Sequence, residues 1–97
     1  MGVKFGREYS EIVDELSAAI VQIGGVYTFF EMEADDWQAM GKDEQRECIR
    51  TMADDLFYGL GADPVMDIGT GSVSYDKNKH ILKVNDGEGT VTVIRLT

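Results

Sequence analysis

The chain is 97 residues long, 43% hydrophobic and 28% charged, with a formal net charge of −9. That length suits one compact domain and is too short for two independent cores. The apolar and aromatic content argues against disorder, and no apolar run is longer than residues 18–21, far short of a bilayer span.

Residues 1–6 lead into no apolar targeting segment, and Gly6 stands where a myristoylation signal requires Ser or Thr, so neither secretion nor acylation is expected. Cys48 is the single cysteine. It forms no internal disulfide and supplies no cysteine-based metal framework, which fits a reducing, cytoplasmic setting.

Tyr9, Ile12, Val13, Leu16, Ala19, Ile20 and Ile23 recur at spacings of three and four, opposite Glu11, Asp14 and Glu15. This amphipathic stripe predicts a first helix over residues 8–22, ended by Gly24 and Gly25. Residues 26–31 are β-branched and aromatic, which predicts an extended stretch, although Thr28 and Glu31 also read as a capping box. A short helix follows over residues 34–40, with Trp37 and Met40 turned inward and Gly41 closing it. Asp43 reads as the N-cap of a long helix to Tyr58, whose buried stripe is Cys48, Ile49, Met52, Ala53, Leu56 and Phe57.

Asp63-Pro64 bars further helix. Residues 72–76, 80–85 and 90–96 alternate or are β-branched, and turns at residues 77–79 and 86–89 separate them, with Asn78 and Gly87 best able to adopt positive φ. The prediction is an α+β fold. Two main helices and one short helix (about residues 1–61) pack on a three- to four-stranded, mostly antiparallel sheet. The sheet is a C-terminal meander (about residues 64–97), extended by residues 65–68 and by the segment at Val26.

Charge is distributed unevenly along this plan. Residues 1–25, 26–70 and 71–97 carry −2, −8 and +1. Nucleic-acid phosphates repel such a chain, since affinity for them depends on Lys and Arg, so no direct nucleic-acid contact is expected. A basic protein partner is attracted by the same field, while surface charge also serves solubility.

The chemistry-bearing inventory is small. His80, the only histidine, begins a predicted strand with no orienting carboxylate in view, and Cys48 lies on the apolar face of the long helix. A small enzyme would have to bring those two together in space. Gly59-x-Gly61 and Gly69-x-Gly71 read as helix-end and turn glycines, because no strand leads through them into a helix. The acids around Gly87 are too few for a calcium loop. No catalytic group, cofactor or metal is predicted.

The acids themselves remain. Glu31, Glu33, Asp35 and Asp36 flank Trp37 without a base among them, and the N-terminal dipole of the short helix favours them by about 0.3–1 kcal/mol each. Asp54 and Asp55 fall near the C-terminus of the long helix, where the dipole disfavours them. Arg50 offers Asp54 an i,i+4 pair, and Asp55 has no such neighbour. These six acids and Trp37 form the predicted partner-binding set of a non-catalytic module. In composition alone the chain resembles small acidic bacterial and phage proteins that inhibit or regulate a basic, nucleic-acid-binding partner. The alternatives are an assembly subunit that homodimerises through a sheet edge or helix face, with charge serving solubility, and an enzyme using His80 or Cys48.

Overall fold

The computed structural model describes residues 5–97. The order is α1 (Tyr9–Ile20), a 3-10 helix (Val26–Phe30), α2 (Ala34–Ala39), α3 (Lys42–Gly59), then β1 (Val65–Ile68), β2 (Gly71–Asp76), β3 (Ile81–Asn85) and β4 (Val91–Arg95). The strands form one antiparallel sheet in the order β1-β2-β3-β4, so helices followed by a meander is the observed α+β arrangement. Residues 65–68 join as the first strand.

Register assigns the two sheet faces. Val73 pairs with Val84, Leu82 with Ile94 and Tyr75 with Leu82, and because side chains alternate these residues share one face with Ile68. On it Ile68, Val73, Leu82, Val84 and Ile94 are buried. They close against Ile12, Leu16 and Ile20 of α1 and Met52, Ala53, Leu56 and Phe57 of α3 in one apolar cluster. Each fully buried side chain of this size contributes about 1.5–3 kcal/mol. The other face carries Val65, Ser72, Ser74, Ile81, Lys83, Val91, Val93 and Arg95, none of which is buried.

The two long helices run antiparallel. Tyr9 packs edge-on against Phe57, with ring centroids 5.0 Å apart. Asp14 pairs with Arg50, and Ser17 and Val21 meet Arg46 and Glu47.

The segment 26–31 does not extend the sheet. Gly25 at φ 74° and Glu31 at φ 55° bracket it with left-handed turns, and Val26, Phe29 and Phe30, at spacings of three and four, turn one side to the core. Burial at helical spacing overrides the strand propensity of these residue types. The Thr28 hydroxyl donates back to the Gly25 carbonyl (2.7 Å) instead of capping a helix.

Three local expectations are also corrected. Gly41, not Asp43, is the N-cap of α3, which begins at Lys42 and has Asp43 in its first turn. Met40 ends α2 in extended geometry. In the β2–β3 turn the positive φ falls on His80 (55°), not Asn78: the Asp76 carboxylate accepts the Asn78 and Lys79 N–H groups (3.1 Å each). Those bonds hold the right-handed part of the turn and pass the left-handed residue to its end.

Glycine is required where the loops cross. Thr70 N–H donates to the Gly24 carbonyl (2.9 Å), and a Cβ on Gly69 (φ 54°) would lie 2.3 Å from the Gly24 oxygen and 2.7 Å from Gly25 backbone. Both obstacles are main chain and neither can rotate away. Gly69→Ala is therefore expected to lower unfolding free energy by about 3 kcal/mol or more in urea denaturation, combining left-handed strain with the clash. Gly41 makes no such contact and caps α3 without a side-chain hydrogen bond. Gly41→Ser is expected to raise stability by up to about 0.5 kcal/mol by supplying that bond.

Candidate functional site

The acids of the helical half divide according to whether a base reaches them. Those of α1 are served: Arg7 pairs with Glu15 and, at 4.0 Å, with Glu11, and Arg50 of α3 pairs with Asp14. The hydrogen bond from Arg7 holds the Glu15 carboxyl below the usual carboxylate range. These are the ion pairs found among the described residues. None of them involves Glu31, Glu33, Asp35, Asp36 or Asp55.

Those five acids are all exposed. Glu31 leaves the 3-10 helix in left-handed geometry, and Glu33 is the N-cap residue of α2, with Asp35 and Asp36 in its first turn. Trp37 follows on the half-buried side of α2, its ring stacked on Phe30 with centroids 5.8 Å apart and planes 13° from parallel. Phe29 meets Phe30 edge-on at 5.6 Å. Gln45 of α3 donates to the Trp37 carbonyl (2.6 Å) and ties α2 to the helix that follows. The result is a partly exposed aromatic stack with four exposed carboxylates in the segment between its two rings, none of them in an ion pair among the described residues. Trp37 packs against the margin of the core and is not enclosed by it.

Asp54 and Asp55 stand apart from this group. They lie about 17 Å further along the α3 axis than Asp43, and Asp54 faces α1, where it accepts the Tyr9 hydroxyl at 2.6 Å. Arg50, its expected i,i+4 partner, is engaged by Asp14 instead. The misplaced charge of Asp54 is thus compensated by a residue from the start of the chain, a contact that no local rule exposes. Asp55 is exposed on the next face of the helix.

His80 and Cys48 do not meet. His80 is exposed in the β2–β3 turn, where its carbonyl accepts Leu96 N–H beside the chain entering α1. Cys48 is half-buried on α3, at the level of the second half of α1. Neither lines the groove of about 490 Å³ between α1 and α3 or that of about 470 Å³ beside the β2–β3 turn. Among the described residues no group of three His, Cys, Asp or Glu side chains is placed to hold a metal ion, and no helix is long and apolar enough to cross a membrane.

Comparison with protein-family models, with curated proteins and with solved structures finds no match for this chain.

The Tyr9–Asp54 contact has a titration consequence. Burial, reinforced by the hydrogen bond to Asp54, pushes the Tyr9 phenol up to about 12 from its ordinary 10.0. A raised folded-state value means stability that is complete below pH 10 and is lost as pH rises toward 12. Tyr9→Phe is expected to cost about 1 kcal/mol at pH 7 and to flatten the fall in stability between pH 10 and 12. Absorbance titration of the phenolates, combined with urea unfolding at each pH, checks both effects.

Proposed function

We propose that this protein is a non-catalytic binding module that engages a basic protein through the acidic surface of α2, as an inhibitor or regulator of a partner built to bind phosphates. The observation that carries this reading is the contrast between acids. The carboxylates of α1 are partly neutralised within the fold, whereas Glu31, Glu33, Asp35 and Asp36 pair with no base among the described residues and lie in the segment between the stacked Phe30 and Trp37. An aromatic anchor ringed by polar groups is a common source of interface energy. Unpaired carboxylates around it steer a cationic surface toward the ring and repel nucleic acid and other acidic surfaces.

Asp55 contributes to the long-range field from further along α3. Asp54 is engaged with Tyr9 and adds charge but no free hydrogen-bonding edge in that direction. Work in the reducing interior of a cell fits the single free cysteine.

The test compares the immobilised wild-type chain with Glu33→Gln/Asp35→Asn/Asp36→Asn in bacterial lysate, with retained proteins quantified by mass spectrometry. Wild type is expected to enrich proteins of high isoelectric point at about 0.05 M salt and to release them at about 0.5 M, where the screening length is about threefold shorter. Removing three charges at about 0.5 kcal/mol each is expected to weaken retention about tenfold. Equal retention by the neutralised variant, or no enrichment of basic proteins at low salt, contradicts the reading.

A further inference from the structure

A second surface, separate from the acidic one, lies at the edge of the sheet opposite β1. We infer that the outer edge of β4 pairs antiparallel with the same edge of a second copy of this chain, joining two four-stranded sheets into one.

The hydrogen-bond phase of β4 identifies the open groups. Asp86 N–H donates to the Thr90 carbonyl (3.1 Å) and Leu96 N–H to the His80 carbonyl (2.9 Å), in the same register that pairs Leu82 with Ile94 and Val84 with Thr92. Antiparallel ladders alternate, so Thr92 and Ile94 direct their main-chain groups at β3, and Val91, Val93 and Arg95 direct theirs outward. The C-terminal end of this edge is already covered: the Arg7 side chain donates to the Arg95 carbonyl (3.0 Å), and the N–H groups of Gly6 and Arg7 reach the Leu96 carbonyl. Among the described residues, no hydrogen bond covers the outward groups of Val91 and Val93.

The two edges of the sheet differ. β1 follows Pro64, carries Asp67 on its open face, has the Asp63 carboxylate against Val65 N–H (3.4 Å) and lies under the 3-10 helix. Proline, charge and a covering element are devices that prevent edge pairing. Between Val91 and Ile94, β4 has none of them, and its Val91 and Val93 side chains are each 52% exposed.

Self-pairing satisfies this edge without rearrangement. In a two-fold register centred on Thr92, Val91 lies opposite Val93 of the second copy on the uncovered face. Every outward N–H and C=O of both valines then finds a partner, and the Arg95 carbonyl keeps its bond to Arg7. β-Branched pairs of this kind are favourable cross-strand neighbours.

Charge admits a second copy here and hinders it elsewhere. Residues 71–97 carry +1, against −8 for residues 26–70. α1, whose acids are partly neutralised by Arg7 and Arg50, packs over β3 and β4, while the segment leading to the unpaired acids of α2 packs on β1. Edge pairing at β4 therefore holds the two strongly acidic surfaces on the far sides of the assembly.

The test is sedimentation of the full chain from about 5 μM to about 1 mM, a range that detects association as weak as about −4 kcal/mol, at low and high salt. The average mass is expected to rise from 10.8 kDa toward twice that value. The rise should be steeper at high salt, because screening relieves repulsion between copies of −9 charge. Val93→Pro removes an outward N–H and no bond of the β3 ladder. It is expected to keep the helical and sheet circular dichroism and to raise the dissociation constant at least tenfold. Val91→Lys/Val93→Lys is expected to do the same by charging the edge, and serves where proline disturbs β4. The α2-neutralised variant is expected to dimerise like wild type, which separates this inference from the acidic-surface reading. A 10.8 kDa species at every wild-type concentration, or a dimer that survives in both folded edge variants, overturns it.

Discussion

A four-stranded meander with one apolar face must have that face covered, and the helices of this chain pack on that side. Ile68, Val73, Leu82, Val84 and Ile94 set the requirement, and the antiparallel pair of α1 and α3 meets it with Ile12, Leu16, Ile20, Met52 and Leu56. The crossing of Gly24 and Gly25 against Gly69 and Thr70 ties the segment after α1 to the β1–β2 turn, with no space for a side chain at Gly69. From this one-sided cover follow both surface features of the molecule. Acids collect on the outer faces of the helices, and the other sheet face and the β4 edge stay open and nearly neutral.

Within the helical layer, the fold uses some acids and leaves others. Arg7 and Arg50 bind the carboxylates of α1, and Tyr9 occupies Asp54. A surface ion pair of this kind stabilises little, but it decides where negative potential remains uncancelled. Among the described residues that place includes the start of α3, with Asp43 and Glu44, and α2, a six-residue helix with no buried side chain of its own, held by the Phe30–Trp37 stack and by Gln45. A weakly embedded element rich in unpaired charge does little for the core. In the proposed function it is the element that meets another molecule.

Much of this was legible from local pattern. α1 and α3 follow from apolar residues at spacings of three and four, and β2, β3 and β4 from alternation between Asx- and Gly-rich turns, because burial on one face imposes those periods directly. What tertiary contact decides was not legible. Residues 26–31 have strand-type side chains but enter from a left-handed Gly25 and become a 3-10 helix; the spacing of Val26, Phe29 and Phe30 was the available signal. The left-handed residue at His80 depends on how Asp76 closes its turn. The acids flanking Trp37 could be read as unpaired because no base is near them in sequence. The partner of Asp54 could not, since Tyr9 precedes it by 45 residues.

In the proposed function, recognition belongs to the exposed acids between Phe30 and Trp37, and not to acidity in general. The most direct measurement is an amide and indole NMR titration of the ¹⁵N-labelled chain with a short Lys/Arg-rich peptide at low salt. Shift changes are expected to concentrate at residues 31–37, including the Trp37 indole N–H, with the amides of α1 near Glu11, Asp14 and Glu15 and those of β4 little affected. Changes spread evenly over every acidic stretch, or a silent Trp37, would contradict it.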